Sequence, residues 1–323
     1  MIFSLLSCLL AIVPFGLVWA VCRQLRHIYR QRSLSNIPGP RSQSILTGNI
    51  GQIFNARGWG FHEAIAKQFG GVVRINGLFG DASLYVYDPK ALHHIVLKDQ
   101  DIYHETDLFI QGNRLIWGLG LLSTEGDHHK RQRKMINPVF SAAHMREMLP
   151  IFYEIAHQLQ DTLSTKLESA PQEIDMLRWM SRTAVEIIGQ SGLGYSFDSL
   201  KGDDAEHPYI NVMKRLMPTL FSIPVARNLL PWFTNLGPAS FRRAVVNLIP
   251  WKKLHDLRDM SDYMQKVSVQ ILESKRRAIE QGDDVVLQQV GRGKDILSIL
   301  LRANLDASDT EKLPEEDVIG QIS

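Results

Sequence analysis

Apolar positions are distributed unevenly along the chain. Met1 to Cys22 carries no charged side chain, and Leu5, Leu6, Leu9, Leu10, Ile12, Val13, Phe15, Leu17 and Val18 fall in one apolar run. About 20 such residues let a helix cross roughly 30 Å of hydrocarbon, so residues 1–22 are predicted to form a transmembrane anchor. Arg23, Arg26, Arg30 and Arg32 follow, and the first acidic residue is Glu63. Positive charge on that side places it in the cytosol. One competing reading, a cleaved signal peptide, needs a basic leading region and a shorter apolar core, and neither is present; the other, a buried core helix, is opposed by the abrupt arginine flank.

Residues 23–44 form a basic stop followed by a proline segment. Pro38 and Pro40 fix their own φ and disfavour helix before them, which predicts a short stiff hinge. A helical patch over Gly60–Phe69 precedes two strands, Val72–Ile75 and Ser83–Tyr87, with Gly77, Gly80 and Asp81 as turn residues. Asp88-Pro89 ends the second strand and Lys90–Leu97 returns to helical spacing. From Gly126 the pattern is helical. Met145, Met148, Leu149, Phe152, Ile155, Leu159 and Leu163 recur at three- or four-residue steps in a long helix over Ala142–Glu168. Further helices are predicted at Met176–Leu193, at Tyr209–Leu220 closed by prolines at 218, 224 and 231, and within Phe241–Gln281 interrupted near Pro250. After a polar loop (Asp284–Gly293), two more follow at Asp295–Ala303 and from Leu313, with Pro314 in the first turn. The class is mainly α with a small β-sheet, an α+β body over residues 45–323.

Composition narrows the chemistry. Of 323 residues, 45% are hydrophobic and 22% charged, an ordinary globular balance. Lys+Arg 36 against Asp+Glu 34 leaves a net charge of +2. That is too mild to argue for nucleic acid, and no basic stripe is interleaved with aromatics. The only cysteines are Cys8 and Cys22, both inside the apolar run. The body therefore carries no disulfide framework, no cysteine zinc site and no thiolate ligand.

Several familiar motifs are missing. His62-Glu63 has no second histidine at position 66, so a zinc-protease helix is excluded. His93-His94 and His128-His129 are adjacent pairs, which diverge by about 100° on a helix and cannot chelate from one face. Gly189-Gln190-Ser191-Gly192 lacks hydrolase-elbow spacing, and Gly293-Lys294-Asp295 lacks the rest of a phosphate loop.

The informative stretch is Gly126-Asp-His-His-Lys-Arg-Gln-Arg-Lys-Met-Ile-Asn-Pro138-Val-Phe140-Ser141. His129 and Arg133 sit at i and i+4 and project from one face. An imidazole N–H beside a guanidinium forms a clamp for a carboxylate. Lys130, Arg131 and Lys134 point elsewhere, toward solvent or an acidic partner. By itself the stretch also reads as a solvated basic helix.

The order of these pieces resembles the N-terminal part of a membrane-anchored, fungal microsomal cytochrome P-450, a haem-thiolate monooxygenase. The resemblance rests on the uncharged anchor, the arginine stop and Ile37-Pro38-Gly39-Pro40. It continues through the hairpin ending in Asp88-Pro89, Gly118-Leu-Gly120-Leu-Leu-Ser123 and Asn137-Pro138-x-Phe140-Ser141. Lys294-Asp295-Ile-Leu and Glu315-Glu316-Asp317-Val-Ile-Gly-Gln-Ile-Ser323 complete it.

The resemblance implies that His129 and Arg133 bind a haem propionate, that Ile110–Leu122 lies beside haem and substrate, and that Leu216–Phe233 forms a channel lid that dips into the membrane. It further implies endoplasmic reticulum localisation with the body in the cytosol, electrons from an NADPH-cytochrome reductase, and an apolar small-molecule substrate. The family's oxygen-activating acid–threonine pair and axial cysteine are not found in these residues. Glu273-Ser-Lys-Arg276 matches a family motif by letters only and reads as a solvated charged face. The expectation is a truncated cytochrome P-450 fold, inactive as given, with no catalytic or metal-ligating residue of its own. Two alternatives stay open: a catalytically dead, membrane-tethered helical binding protein, and an unrelated anchored helical protein.

Overall fold

The two β-rich runs pair as an antiparallel hairpin, β1 (Val72–Asn76) and β2 (Ala82–Val86), with Val73 opposite Tyr85 and Ile75 opposite Ser83. The computed structural model describes residues 34–77, 80–169, 171–202, 207–282, 293–309 and 311–323. The predicted anchor (1–22), the four arginines after it and nearly all of the predicted polar loop lie outside them. The chain divides into two units, Met1–Tyr103 and His104–Ser323.

In the first unit a single turn, α1 (Ile50–Ile53), and α2 (Trp59–Phe69) accompany the hairpin. Alternation along β1 buries Val73 and Ile75, which pack with Ile65 of α2. His62 of α2 bridges to the sheet: its Nδ1 lies 3.2 Å from the Tyr85 hydroxyl and its Nε2 3.2 Å from the Ile53 carbonyl. The Pro38–Pro40 segment, which the sequence presents as a hinge, is tied to the sheet edge. The Arg74 N–H donates to the Pro38 carbonyl at 3.0 Å, and a Cβ on Gly39 would overlap the Arg74 carbonyl. Asp88 caps α3 (Pro89–His93) by accepting from the Ala91 N–H at 2.8 Å, and a π-type turn, His94–Lys98, follows.

The second unit is helical. Its elements are α4 (Asp107–Trp117), α5 (Gly126–Ile136), α6 (Ala142–Ser169), α7 (Met176–Ile188), α8 (Pro208–Phe221), α9 (Pro224–Phe233), α10 (Ala239–Leu248), α11 (Lys252–Gln281), α12 (Ile296–Asp306) and α13 (Glu315–Ile322). The long helix α11 runs through the main core, where Met260, Met264, Val267, Ile271 and Leu272 are buried with Leu216 of α8, Leu297 and Leu300 of α12, and Val318 of α13. Ser261 of α11 satisfies exposed carbonyls at the end of α4, donating to Leu115 and Ile116. A second core joins Ile155 and Leu159 of α6 to Trp179 of α7 and Leu200.

Two buried ionic groups lock connections. Arg182 forks onto Asp198 at 2.5 and 2.7 Å, and its guanidinium stacks 4.4 Å from the Trp179 ring. Lys275 of α11 donates to Asp295 at 3.0 Å, while the same Asp295 caps α12 through the Ser298 N–H at 2.9 Å.

The sequence expectation needs correction in three places. Of the three prolines expected to close α8, Pro218 lies inside that helix, which runs on to Phe221; Pro224 follows its end and opens α9, and Pro231 lies inside α9. A proline near the end of a helix breaks only one backbone bond, and packing compensates for it. The helix α4, capped by Thr106, is an element that the residue pattern does not announce. Glu273–Arg276 is not wholly solvated, because Lys275 is buried.

Candidate functional site

The basic stretch forms α5, with Asp127 in its first turn favouring the positive end of the helix dipole. Residues 128, 132 and 136 recur every four positions and make one row. His128 Nε2 lies 2.5 Å from Asp317 Oδ2 on α13, Gln132 is fully buried, and Ile136 joins the core. The Gln132 amide donates to the Leu119 carbonyl at 2.8 Å and its oxygen accepts from Thr124 at 3.1 Å and Gln321 at 3.0 Å. This row holds α5 against the 118–124 loop and α13.

His129 and Arg133 occupy the next row, about 100° round the helix. Arg133 is exposed and His129 half-buried. Neither side chain has a hydrogen-bond acceptor among the described residues. Burial, and then the Arg133 charge, hold the His129 imidazole below its ordinary pKa. At neutral pH the pair is thus a neutral imidazole with one N–H to give and a permanent cation with five. That donor set fits a carboxylate, and so the acidic edge of a porphyrin. It does not fit iron: the thiolate such an iron takes has no source in residues 23–323. Among the described residues no group of three or more His, Cys, Asp or Glu could hold a metal ion.

Lys134 forms an exposed pair with Glu311 at 2.6 Å. Within Ile110–Leu122, Ile110 and Ile116 are buried, whereas Leu115 and Leu122 are exposed. Within Leu216–Phe233, Leu216 is core, but Phe221, Leu229 and Trp232 are 57–64% exposed. A cavity of about 170 Å³ lies elsewhere, between Tyr195 and His207 and the Tyr263–Ile271 side of α11, and includes neither clamp residue. Among the described residues no helix is long and apolar enough to cross a membrane.

Sequence reasoning missed His128, Gln132, Asp317 and Gln321. An excess of glycines at 118, 120 and 320 was the available signal, since it marks backbones in close approach.

Comparison with known proteins gives one consistent result. The Cytochrome P450 family model matches residues 38–323. Cytochrome P450 monooxygenase 91 of Postia placenta is 44% identical over 95% of this chain and 57% of its own length. Cytochrome P450 monooxygenase 212 of the same fungus is 43% identical over 99% and 58%. The ganoderic acid synthetase of Ganoderma lucidum is 36% identical over 92% and 54%. The chain spans a little over half the length of these relatives.

Proposed function

This chain belongs to the cytochrome P450 family, and we propose that it supplies the propionate-binding portion of a haem-dependent monooxygenase. The observation that carries this reading is the pair His129 and Arg133: one exposed face of a helix whose other face is firmly anchored, with hydrogen-bond donors left unspent. When bound, haem would supply the oxygen chemistry by which one atom of O₂ enters an apolar substrate. The residues of this chain would grip and orient its acidic edge, Arg133 by a bidentate bridge and His129 by a single N–H.

The exposed apolar side chains of α8 and α9 support an apolar substrate and a lid near a bilayer. The uncharged run 1–22 and its arginine flank support a single anchor in the endoplasmic reticulum, with the body in the cytosol. Exposed Lys130 and Lys134 support docking of an acidic reductase. Because the axial thiolate has no source in the body, the 323 residues alone are proposed to be inactive.

Titrating the purified chain with hemin tests this. Soret absorbance should report binding that Arg133→Gln weakens, and the reduced, CO-treated sample should lack the band of thiolate-ligated haem. Equal hemin binding by both proteins overturns the clamp; a thiolate-type band overturns the inactivity.

A further inference from the structure

Resting on the clamp reading, we propose that His128 is a positioning residue: bonded to Asp317, it fixes the roll of α5 that turns His129 and Arg133 outward as a pair. The helix has few apolar anchors. Gln132 and Ile136 are its only buried side chains, and both lie in its second half. Around the first turn, which carries His129, directional bonding must set the roll, and His128 supplies it.

The partner is suited to this task. Asp317 is fully buried in the first turn of α13, and its other oxygen, Oδ1, has no hydrogen-bond partner. A buried carboxylate with one side-chain donor has a single satisfied arrangement, so the imidazole cannot drift without leaving the charge bare. The Gln132–Gln321 bond at 3.0 Å runs parallel, one turn later. With both bonds made, the clamp row stands about 100° round α5 from the row that meets α13. A roll of one residue would present Lys130 and Lys134 in its place.

The test compares hemin with its dimethyl ester, both delivered to the Met1–Ser323 chain from the same detergent stock. The ester keeps the apolar body and removes the carboxylates, so the acid-to-ester affinity ratio reads the clamp alone. The unaltered chain should prefer the acid. His128→Phe and Asp317→Leu should each cut that preference about tenfold, as loss of outer partners does at cofactor sites, while ester binding stays unchanged. His128→Gln, which keeps a donor at the Nε2 position, should retain it. If Arg133→Gln abolishes the preference but His128→Phe and Asp317→Leu do not, the positioning role is overturned and the clamp stands. If Arg133→Gln has no effect, or the unaltered chain shows no preference, both fall. Equal weakening of acid and ester, or unfolding of both His128→Phe and Asp317→Leu by circular dichroism, makes the pair a plain fold determinant and overturns the proposal.

Discussion

Gly120 and Gly320 meet backbone to backbone: a Cβ built on either would overlap main-chain atoms of the other. This crossing lets α13 approach the 118–124 loop closely enough for Gln321 to reach both Gln132 and the Leu121 N–H. Gly320→Ala is therefore expected to force α13 outward and cost about 1–3 kcal/mol, the usual penalty of overpacking. Gly60, on α2, has open space where its Cβ would stand and no positive φ. Gly60→Ala should be neutral or stabilising by up to about 1 kcal/mol. Thermal denaturation of the two variants checks both signs.

The Arg182–Asp198 pair is wholly buried. Asp198→Ala leaves a guanidinium without its carboxylate and should destabilise by about 3–5 kcal/mol. Changing both partners, Arg182→Met with Asp198→Leu, should cost less than Asp198→Ala alone. Chemical denaturation measures both, and a double variant weaker than the single would show that the pair is more than mutual compensation.

The Arg133 charge is one cause of the depressed His129 pKa, after burial. Arg133→Gln should accordingly raise the His129 midpoint without returning it fully to the ordinary value, because burial remains. Imidazole proton shifts against pH follow this directly. A midpoint that stays put would mean the two side chains do not share a face.

Tyr209 packs against Phe197, with ring centroids 4.7 Å apart, and burial, then the Tyr263 phenol, push its pKa up to about 12. The unfolded chain releases this proton near pH 10 and the folded chain two units later. The stabilisation is thus complete below about pH 10 and is lost as pH climbs toward 12, by at most roughly 3 kcal/mol. Tyr209→Phe should flatten that part of the stability profile. Identical slopes for the two proteins between pH 10 and 12 would count against it.

Much of this architecture could be read from residue order. The hairpin follows from alternation in Val72–Ile75 and Ser83–Tyr87, and the long helices from repeats such as Met148, Ile155 and Leu159. His129 and Arg133 were legible because a spacing of four puts any two helical residues on one side. What escaped was polar burial. Gln132 lies in a stretch that hydropathy scores as solvated, and its amide is satisfied in the interior by Leu119 and Thr124 of the preceding loop and by Gln321, 189 residues on. Lys275 misled in the same way, its partner being 20 residues on. Pro218 and Pro231 misled in the opposite direction: local preference forbids them in helices, and packing of α8 and α9 overrides it.

Gly194 turns with a φ of +57°, and any side chain there would collide with both Lys275 and Asp295. Three segments far apart in the chain therefore close over one ammonium group: the turn after α7, the C-terminal half of α11 and the cap of α12. A methyl group at residue 194 would push that ammonium off its carboxylate and so unseat the end of α11 and the cap of α12 together.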